Sequence, residues 1–172
     1  MNLKDVKKIK MSFFKDNRGT NERVLCQNEL KLIKKNFLIK QINLSKTSKK
    51  GTIRGLHSQR HPFDEIKYVF CTKGKIYDVA VDIRHRSKSR YKFVSNVLDA
   101  KDNSGLFIPA GFAHGFQALT DDVEVIYCVS NFYNKKFEKN YNVFDPIFNI
   151  PWPIKKNIII SKKDKDIKFI KD

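Results

Sequence analysis

The stretch Ile66-Lys-Tyr-Val-Phe-Cys-Thr-Lys-Gly-Lys-Ile-Tyr-Asp-Val-Ala-Val-Asp-Ile83 holds two runs rich in β-branched and aromatic residues, parted by the turn signal Thr72-Lys-Gly74. Side chains of this kind suit a pleated, half-buried surface, so each run reads as a strand. The pattern recurs outward in both directions. Phe37-Leu-Ile-Lys-Gln-Ile-Asn43 precedes it, and Tyr91-Lys-Phe-Val-Ser-Asn-Val-Leu98, Ser104-Gly-Leu-Phe-Ile108 and Val123-Glu-Val-Ile-Tyr-Cys-Val129 follow. Lys49-Lys-Gly51, Lys101-Asp-Asn-Ser104, Pro109-Ala-Gly111 and Thr120-Asp-Asp122 punctuate the runs. Many short strands at regular spacing predict an all-β sandwich or barrel. Helical spacing is weak, from Glu22 to Lys35 and again after Ser161, which leaves room for short peripheral helices only.

The 172 residues fit one domain covering 1–172, and 41% hydrophobic residues with 14 Phe supply enough apolar surface for a compact core. The Lys-rich tail from Lys155 onward carries Ile158, Ile159, Ile160, Ile167, Phe169 and Ile170, so it is expected to pack. Cys26, Cys71 and Cys128 are odd in number and widely spaced, without a CxxC, and read as reduced thiols. No apolar run approaches the roughly 18 residues of a membrane span, and Met1–Lys10 lacks the apolar core of a secretion signal, so a cytoplasmic protein with no membrane partner is expected. The balance of 35 Lys+Arg over 18 Asp+Glu, net +17, points to an anionic partner. The cations are spread as short doublets from Lys4 to Lys171 rather than gathered, and the aromatics are not interleaved with Arg, which argues against nucleic acid.

Two histidines stand in distinctive company: His57 in Arg54-Gly-Leu-His57 and His114 in Ile108-Pro-Ala-Gly-Phe-Ala-His-Gly-Phe116, both read as following strands. The second segment resembles the P-x-G-x-x-H half of the cupin barrels, in which Pro and Gly turn a His into the barrel mouth. The other half of that pattern, H-x-H followed by a Glu seven residues before a Gly, is broken here. Lys67 stands seven residues before Gly74, and no second His lies two residues after His57. An ammonium in place of a carboxylate ligand repels a divalent cation, so no metal is expected.

The ordered series Gly51-Thr-Ile-Arg-Gly-Leu-His-Ser-Gln59, Ile66-Lys-Tyr-Val69, Gly74, Asp78-Val-Ala-Val-Asp-Ile-Arg84, Ser87, Tyr91, Leu106 to Phe116, Val125-Ile-Tyr127, Tyr133, Asp145-Pro146 and Ile150-Pro-Trp-Pro153 resembles the dTDP-4-dehydrorhamnose 3,5-epimerase family, from about Phe13 to Asp164. The resemblance implies a cupin-type jelly-roll β-barrel and cofactor-free inversion at C3, C5 or both, the carbons that flank the ketone of a 4-keto-6-deoxy sugar; the motifs alone do not choose between one centre and two. It also implies a nucleotide-diphosphate sugar as substrate and a homodimer, the commonest assembly. Removing a carbon-bound proton beside a carbonyl needs a base on one face, something to stabilise the enolate oxygen, and an acid on the other face. By the resemblance His57 is the base, Asp164 orients it, Lys67 lies near the ketone oxygen, and Tyr127 is the acid. Gln41, Asn43, Arg54, His114 and Tyr133 correspond to pocket positions, Arg54 suiting a diphosphate through bidentate pairing.

The family's early D-x-R-G-x-F-x-E segment reads Asp16-Asn-Arg-Gly-Thr-Asn-Glu-Arg23 here. Arg18 is kept, while Asn21 replaces the aromatic and Arg23 the acid, and Ser58 stands where Phe is common. These three departures leave the proton-transfer residues intact and bear on the nucleotide, so a GDP-linked 4-keto sugar, such as a 6-deoxyheptose for a surface polysaccharide, is the expected donor. Asn21 and Arg23 join Arg18 as expected substrate contacts. The alternatives are a nucleotide-sugar 3,4-ketoisomerase and a non-catalytic carbohydrate-binding barrel.

Overall fold

The computed structural model describes residues 3–33 and 37–171. In chain order the strands and helices are β1 (Lys7–Lys10), β2 (Phe13–Asp16), β3 (Gly19–Glu22), α1 (Gln27–Ile33), β4 (Gln41–Thr47), β5 (Thr52–Gln59), β6 (Lys67–Lys73), β7 (Lys75–Asp82), β8 (Phe93–Asp99), β9 (Ser104–Ile108), β10 (Phe112–Ala118), β11 (Val123–Val129), β12 (Glu138–Asn140), β13 (Ile159–Ile160) and α2 (Lys162–Lys165). One sheet runs β1-β9-β6-β11-β4 and the other β12-β5-β10-β7-β8, with β13 also on β5. They close face to face as a jelly-roll barrel, and β2 and β3 form a separate hairpin. The Thr72–Gly74 turn therefore carries the chain from one sheet to the other instead of closing a hairpin. Among the described residues no helix is long and apolar enough to cross a membrane.

Alternation along each strand sorts the core into three layers. Between the sheets, Val69 and Cys71 of β6 and Val123 and Val125 of β11 meet Ile76 and Ala80 of β7 and Phe112, Phe116 and Ala118 of β10. On the outer face of the first sheet, Tyr68, Phe70, Phe107 and Cys128 are covered by Leu30 of α1 and by Phe37. On the outer face of the second, Ile53, Leu56, Val79, Val81 and Ala113 are covered by Tyr141, Val143, Phe148 and Trp152. Strands buried on both faces explain why Tyr68–Cys71 and Val79–Val81 run without a polar residue. The tail packs through Ile158, Ile160 and Ile170, whereas Ile159 and Phe169, also expected to pack, are exposed; all three cysteines are free thiols.

Four details differ from the sequence reading. The first strand run was expected from Phe37, but β4 starts at Gln41, and Phe37 instead plugs the outer core edge-on to Phe107, with ring centroids 5.7 Å apart. Residues 52–59 and 112–118 are strands, so His57 and His114 lie within strands rather than after them. Glycines and histidines dilute the β pattern there. The two helices are shorter than the Glu22–Lys35 and post-Ser161 stretches, and Lys34 and Lys35 lie outside the described residues. β1, with three Lys in four residues, and the β2–β3 hairpin lack the apolar alternation that marks the other strands.

The β5–β10 register contains the feature that builds the site. His57 is opposite His114, yet Arg54 is opposite Phe116, so β5 holds one extra residue over this step. Such a bulge reverses the alternation, and Arg54 and His57 face the same side although three positions separate them. Gly55 permits it: its φ is +115°, and a Cβ there would lie 2.6 Å from the His114 carbonyl oxygen and 2.7 Å from Gly115 Cα. Gly55→Ala is expected to destabilise the protein by roughly 1–3 kcal/mol. A chemical denaturation midpoint equal to that of the unaltered protein would contradict this account.

Candidate active site

A cavity of about 520 Å³ opens between the sheets. Arg54 and His57 of β5 and His114 of β10 line one wall, Lys67 of β6 and Tyr127 of β11 the facing wall, and Asp164 closes the β5 side. On β6 the alternation that sends Tyr68 to the covered outer face sends Lys67 inward with Val69 and Cys71, so Lys67 is buried rather than solvent-facing. Tyr127 is directly opposite Val69 and Lys67 opposite Val129, which places ammonium and phenol on neighbouring strands of one wall.

The His57 ring is held from behind. Its Nε2 lies 2.8 Å from Asp164 Oδ1. Asp164 reaches this position because β13 pairs parallel to β5, Ile159 opposite Thr52 and Ile160 opposite Ile53, and hands the chain to α2. Ser161 caps that turn, its Oγ accepting the Asp164 N–H at 3.1 Å. Burial alone would push the Asp164 carboxyl up. The His57 hydrogen bond and charge, together with donors from Ser161 and the Gly55 N–H, outweigh burial and hold it below the usual carboxylate range. With Nε2–H donated to an ionised carboxylate, Nδ1 is the nitrogen left to accept a proton.

On the facing wall, burial pushes the Tyr127 phenol up, with the Glu65 charge adding to the effect and Arg54 opposing it, so the hydroxyl is protonated at neutral pH and able to donate. Lys67 Nζ lies 3.3 Å from Glu65 Oε1 and donates to the His57 carbonyl at 3.3 Å. Below His57, His114 Nε2 meets the fully buried Asp78 at 2.6 Å. Arg54 leans across the mouth, its Nε donating to Thr47 Oγ1 and its Nη2 to the Lys46 carbonyl, both at 2.9 Å. Tyr133 lines the rim, its N–H donating to Gln41 Oε1 at 3.3 Å, while Gln41 Nε2 donates to Asn43 Oδ1 at 2.7 Å. Gln41 and Asn43 thus brace the site from β4.

Arg18, Asn21 and Arg23 lie apart from this cavity. Arg18 pairs with Asp16 at 2.6 Å inside the β2–β3 hairpin, Asn21 is exposed opposite Phe14, and Arg23 pairs with Glu29 at 3.1 Å. Several polar residues at the site were missed in sequence: Gln59, Glu65, Asp78 and the Glu138–Lys163 ion pair, 2.6 Å long, at the rim. Spacing held a clue to two of them, since Gln59 is two residues after His57 and Glu65 two before Lys67. Asp78, an acid inside an apolar run, needs a buried partner. Among the described residues no three or more His, Cys, Asp or Glu side chains converge as metal ligands.

A jelly-roll barrel whose two walls present a carboxylate-held imidazole and a protonated phenol with an ammonium beside it belongs to the cupin-type nucleotide-sugar epimerases. The sequence model described as dTDP-4-dehydrorhamnose 3,5-epimerase matches residues 1–172, and the chain belongs to that family. A dTDP-4-dehydrorhamnose 3,5-epimerase of Sinorhizobium fredii is 36% identical over 167 residues, 95% of this chain and 84% of that protein. The crystal structure of the Bacillus anthracis dTDP-4-dehydrorhamnose 3,5-epimerase with TDP and PPi bound superposes with a TM-score of 0.93 at 32% identity, covering 99% of this chain and 97% of that one. The Legionella pneumophila dTDP-6-deoxy-D-glucose-3,5-epimerase in complex with dTDP-4-keto-L-rhamnose gives 0.92 at 29% identity, covering 98% and 89%.

Because Asp164 ionises more readily in the fold than in the unfolded chain, its contribution to stability is complete above the ordinary carboxylate value of about 3.9 and is lost as pH falls through its lowered folded value. The stability of the wild type relative to Asp164→Asn should therefore decline as pH drops below about 4. Denaturant titrations at several pH values check this, and a difference that does not vary with pH would show the carboxyl to be no more acidic in the fold.

Proposed function

We propose that this enzyme inverts C3 and C5 of a nucleotide-diphosphate-linked 4-keto-6-deoxy sugar without a cofactor. His57 takes the proton from the carbon beside the ketone, and Asp164 stabilises the resulting imidazolium. The electron pair moves onto the ketone oxygen, where the Lys67 ammonium stabilises the enolate. Tyr127 then delivers a proton to the same carbon from the opposite wall and regains one from water while the His57 imidazolium releases its proton to solvent, so the centre leaves inverted and both groups are restored for the second carbon. Placement of the Asp164-held imidazole and the phenol on opposite walls of one cavity is the observation that carries this reading. Arg54 takes the diphosphate, with His114, Tyr133, Gln41 and Asn43 shaping the remainder of the pocket. The product would feed surface-polysaccharide synthesis from the cytoplasm.

The names of the relatives support a dTDP-linked hexose as the donor. A second reading, a GDP-linked sugar such as a 6-deoxyheptose, draws on Asn21 and Arg23, which offer an amide and a cation in place of a stacking face and an acid. Both residues sit near the exposed Phe13 and Phe14 of the hairpin, and β4 carries exposed Ile42 and Leu44. These apolar groups support a homodimer in which the hairpin of one protomer brings Arg18, Asn21 and Arg23 to the cavity of its partner.

In heavy water, turnover should place deuterium at both C3 and C5 of the sugar, read by NMR. One labelled position would reduce the activity to a 3-epimerase, and a displaced carbonyl would make it a ketoisomerase. His57→Asn should lower exchange by about 10²-fold or more while retaining binding of the nucleotide sugar. Exchange at the wild-type rate in that variant would remove His57 from the reaction. Comparing dTDP- and GDP-linked 4-keto sugars identifies the donor, and light scattering should give twice the 20.2 kDa chain mass.

A further inference from the structure

Glu65 is a carboxylate on the cavity wall to which the reaction above gives no step. It stands just before β6, two residues ahead of Lys67, and both side chains are largely withdrawn from water, 11% and 8% exposed. One carboxylate oxygen lies 3.3 Å from the Lys67 ammonium. The other accepts a hydrogen bond from Gln59 Nε2 at 3.1 Å. Gln59 belongs to β5 on the facing sheet, and it is itself fixed by the Phe63 and Phe132 carbonyls at 3.1 Å each and by the Asn134 N–H at 2.7 Å. The chain of contacts thus runs from one sheet, through Gln59 and Glu65, to an ammonium on the other. That ammonium also donates to the His57 carbonyl.

An ammonium carries three N–H donors, and two of them are engaged by Glu65 and the His57 carbonyl. We propose that Glu65 is a positioning residue for the reaction: clamped by Gln59, it fixes the Lys67 ammonium so that its third N–H is directed to the ketone oxygen of the substrate. This rests on the epimerase reading given above. Lysine is a point charge on a flexible four-carbon stem, and without a partner a buried ammonium turns to water or gives up its proton. Glu65 also offsets part of the field of the ammonium, an effect that would by itself weaken enolate stabilisation. Displacement of a catalytic group by about 1 Å costs on the order of 10²-fold, so placement outweighs that loss.

Glu65→Gln is isosteric and keeps an oxygen for Gln59 while removing the charge. It is expected to lower kcat roughly 10- to 100-fold with KM changed less than about twofold. In a Lys67→Met background the same change should add no further loss, because the residue acts only through the ammonium. A Glu65→Gln enzyme with wild-type kcat overturns the proposal, as does a double variant whose losses multiply. Should Glu65→Gln fail to fold by circular dichroism, Glu65→Asp is put through the same cycle, with an expected loss of about tenfold or less, and its failure to couple with Lys67→Met overturns the proposal equally. A wild type that exchanges no deuterium at C3 or C5 would sink the epimerase reading and the Glu65 role together. Normal wild-type exchange with an unaffected Glu65→Gln sinks the Glu65 role alone.

Discussion

The close approach of β5 and β10 at Gly55 and Gly115 is the constraint on which the site rests. A side chain at either glycine would drive into the backbone of the other strand, since a Cβ at Gly115 would stand 2.7 Å from the Arg54 carbonyl oxygen. The bulge that this approach permits brings Arg54 and His57 to one wall. It also frees the Gly55 N–H to bond the carboxylate that holds the His57 ring. One backbone irregularity therefore sets the direction of a cation and of an imidazole and adds a donor to the acid that holds the imidazole. An unbulged β5 would leave one of Arg54 and His57 in the outer apolar layer beside Ile53 and Leu56.

Around that strand the fold divides labour between its sheets. The second sheet and the tail behind it supply the imidazole and carboxylate, and the first supplies the phenol and ammonium. Neither sheet alone contains the proposed base and acid, so the distance between them is set by the packing of Val69, Val125, Phe112 and Phe116 in the shared core. Four buried charges meet a side-chain partner, Asp164 with His57, Asp78 through Oδ1 with His114, Lys67 with Glu65, and Asp82 with Arg84 at 2.7 Å and two serine hydroxyls, while Asp145 accepts the Ile147 and Ile170 N–H groups. Unpaired, each would cost several kcal/mol to withdraw from water. The burial-raised phenol of Tyr127, protonated at neutral pH, thus faces across the cavity the imidazole that the Asp164 carboxylate holds.

Much of this architecture was legible in the sequence. The runs at 66–71, 75–83, 104–108 and 123–129 carry enough β-branched and aromatic residues to declare themselves, because these strands are covered on both faces. Residues 52–59 and 112–118 did not, since the glycines that allow close approach and the polar residues that face the cavity erase the apolar alternation. His57, Lys67, Tyr127 and Asp164 were identified through an ordered family resemblance, and the fold brings all four to one cavity. Glu65 and Gln59 escaped because their significance lies in a contact between sheets, which no local spacing reveals. Arg18, Asn21 and Arg23 sit on a hairpin remote from the cavity of their own chain, so their assignment depends on a second copy.

The carboxylate that steadies His57 lies 107 residues downstream of it. Arg54, His57, Lys67, His114 and Tyr127 all precede Val129, but Asp164 arrives only with the tail, docked by the two-residue strand β13. A ribosome must therefore synthesise the chain through residue 164 before the imidazole gains its anchor. Translation therefore delivers the rest of the cavity lining before the side chain that anchors its imidazole.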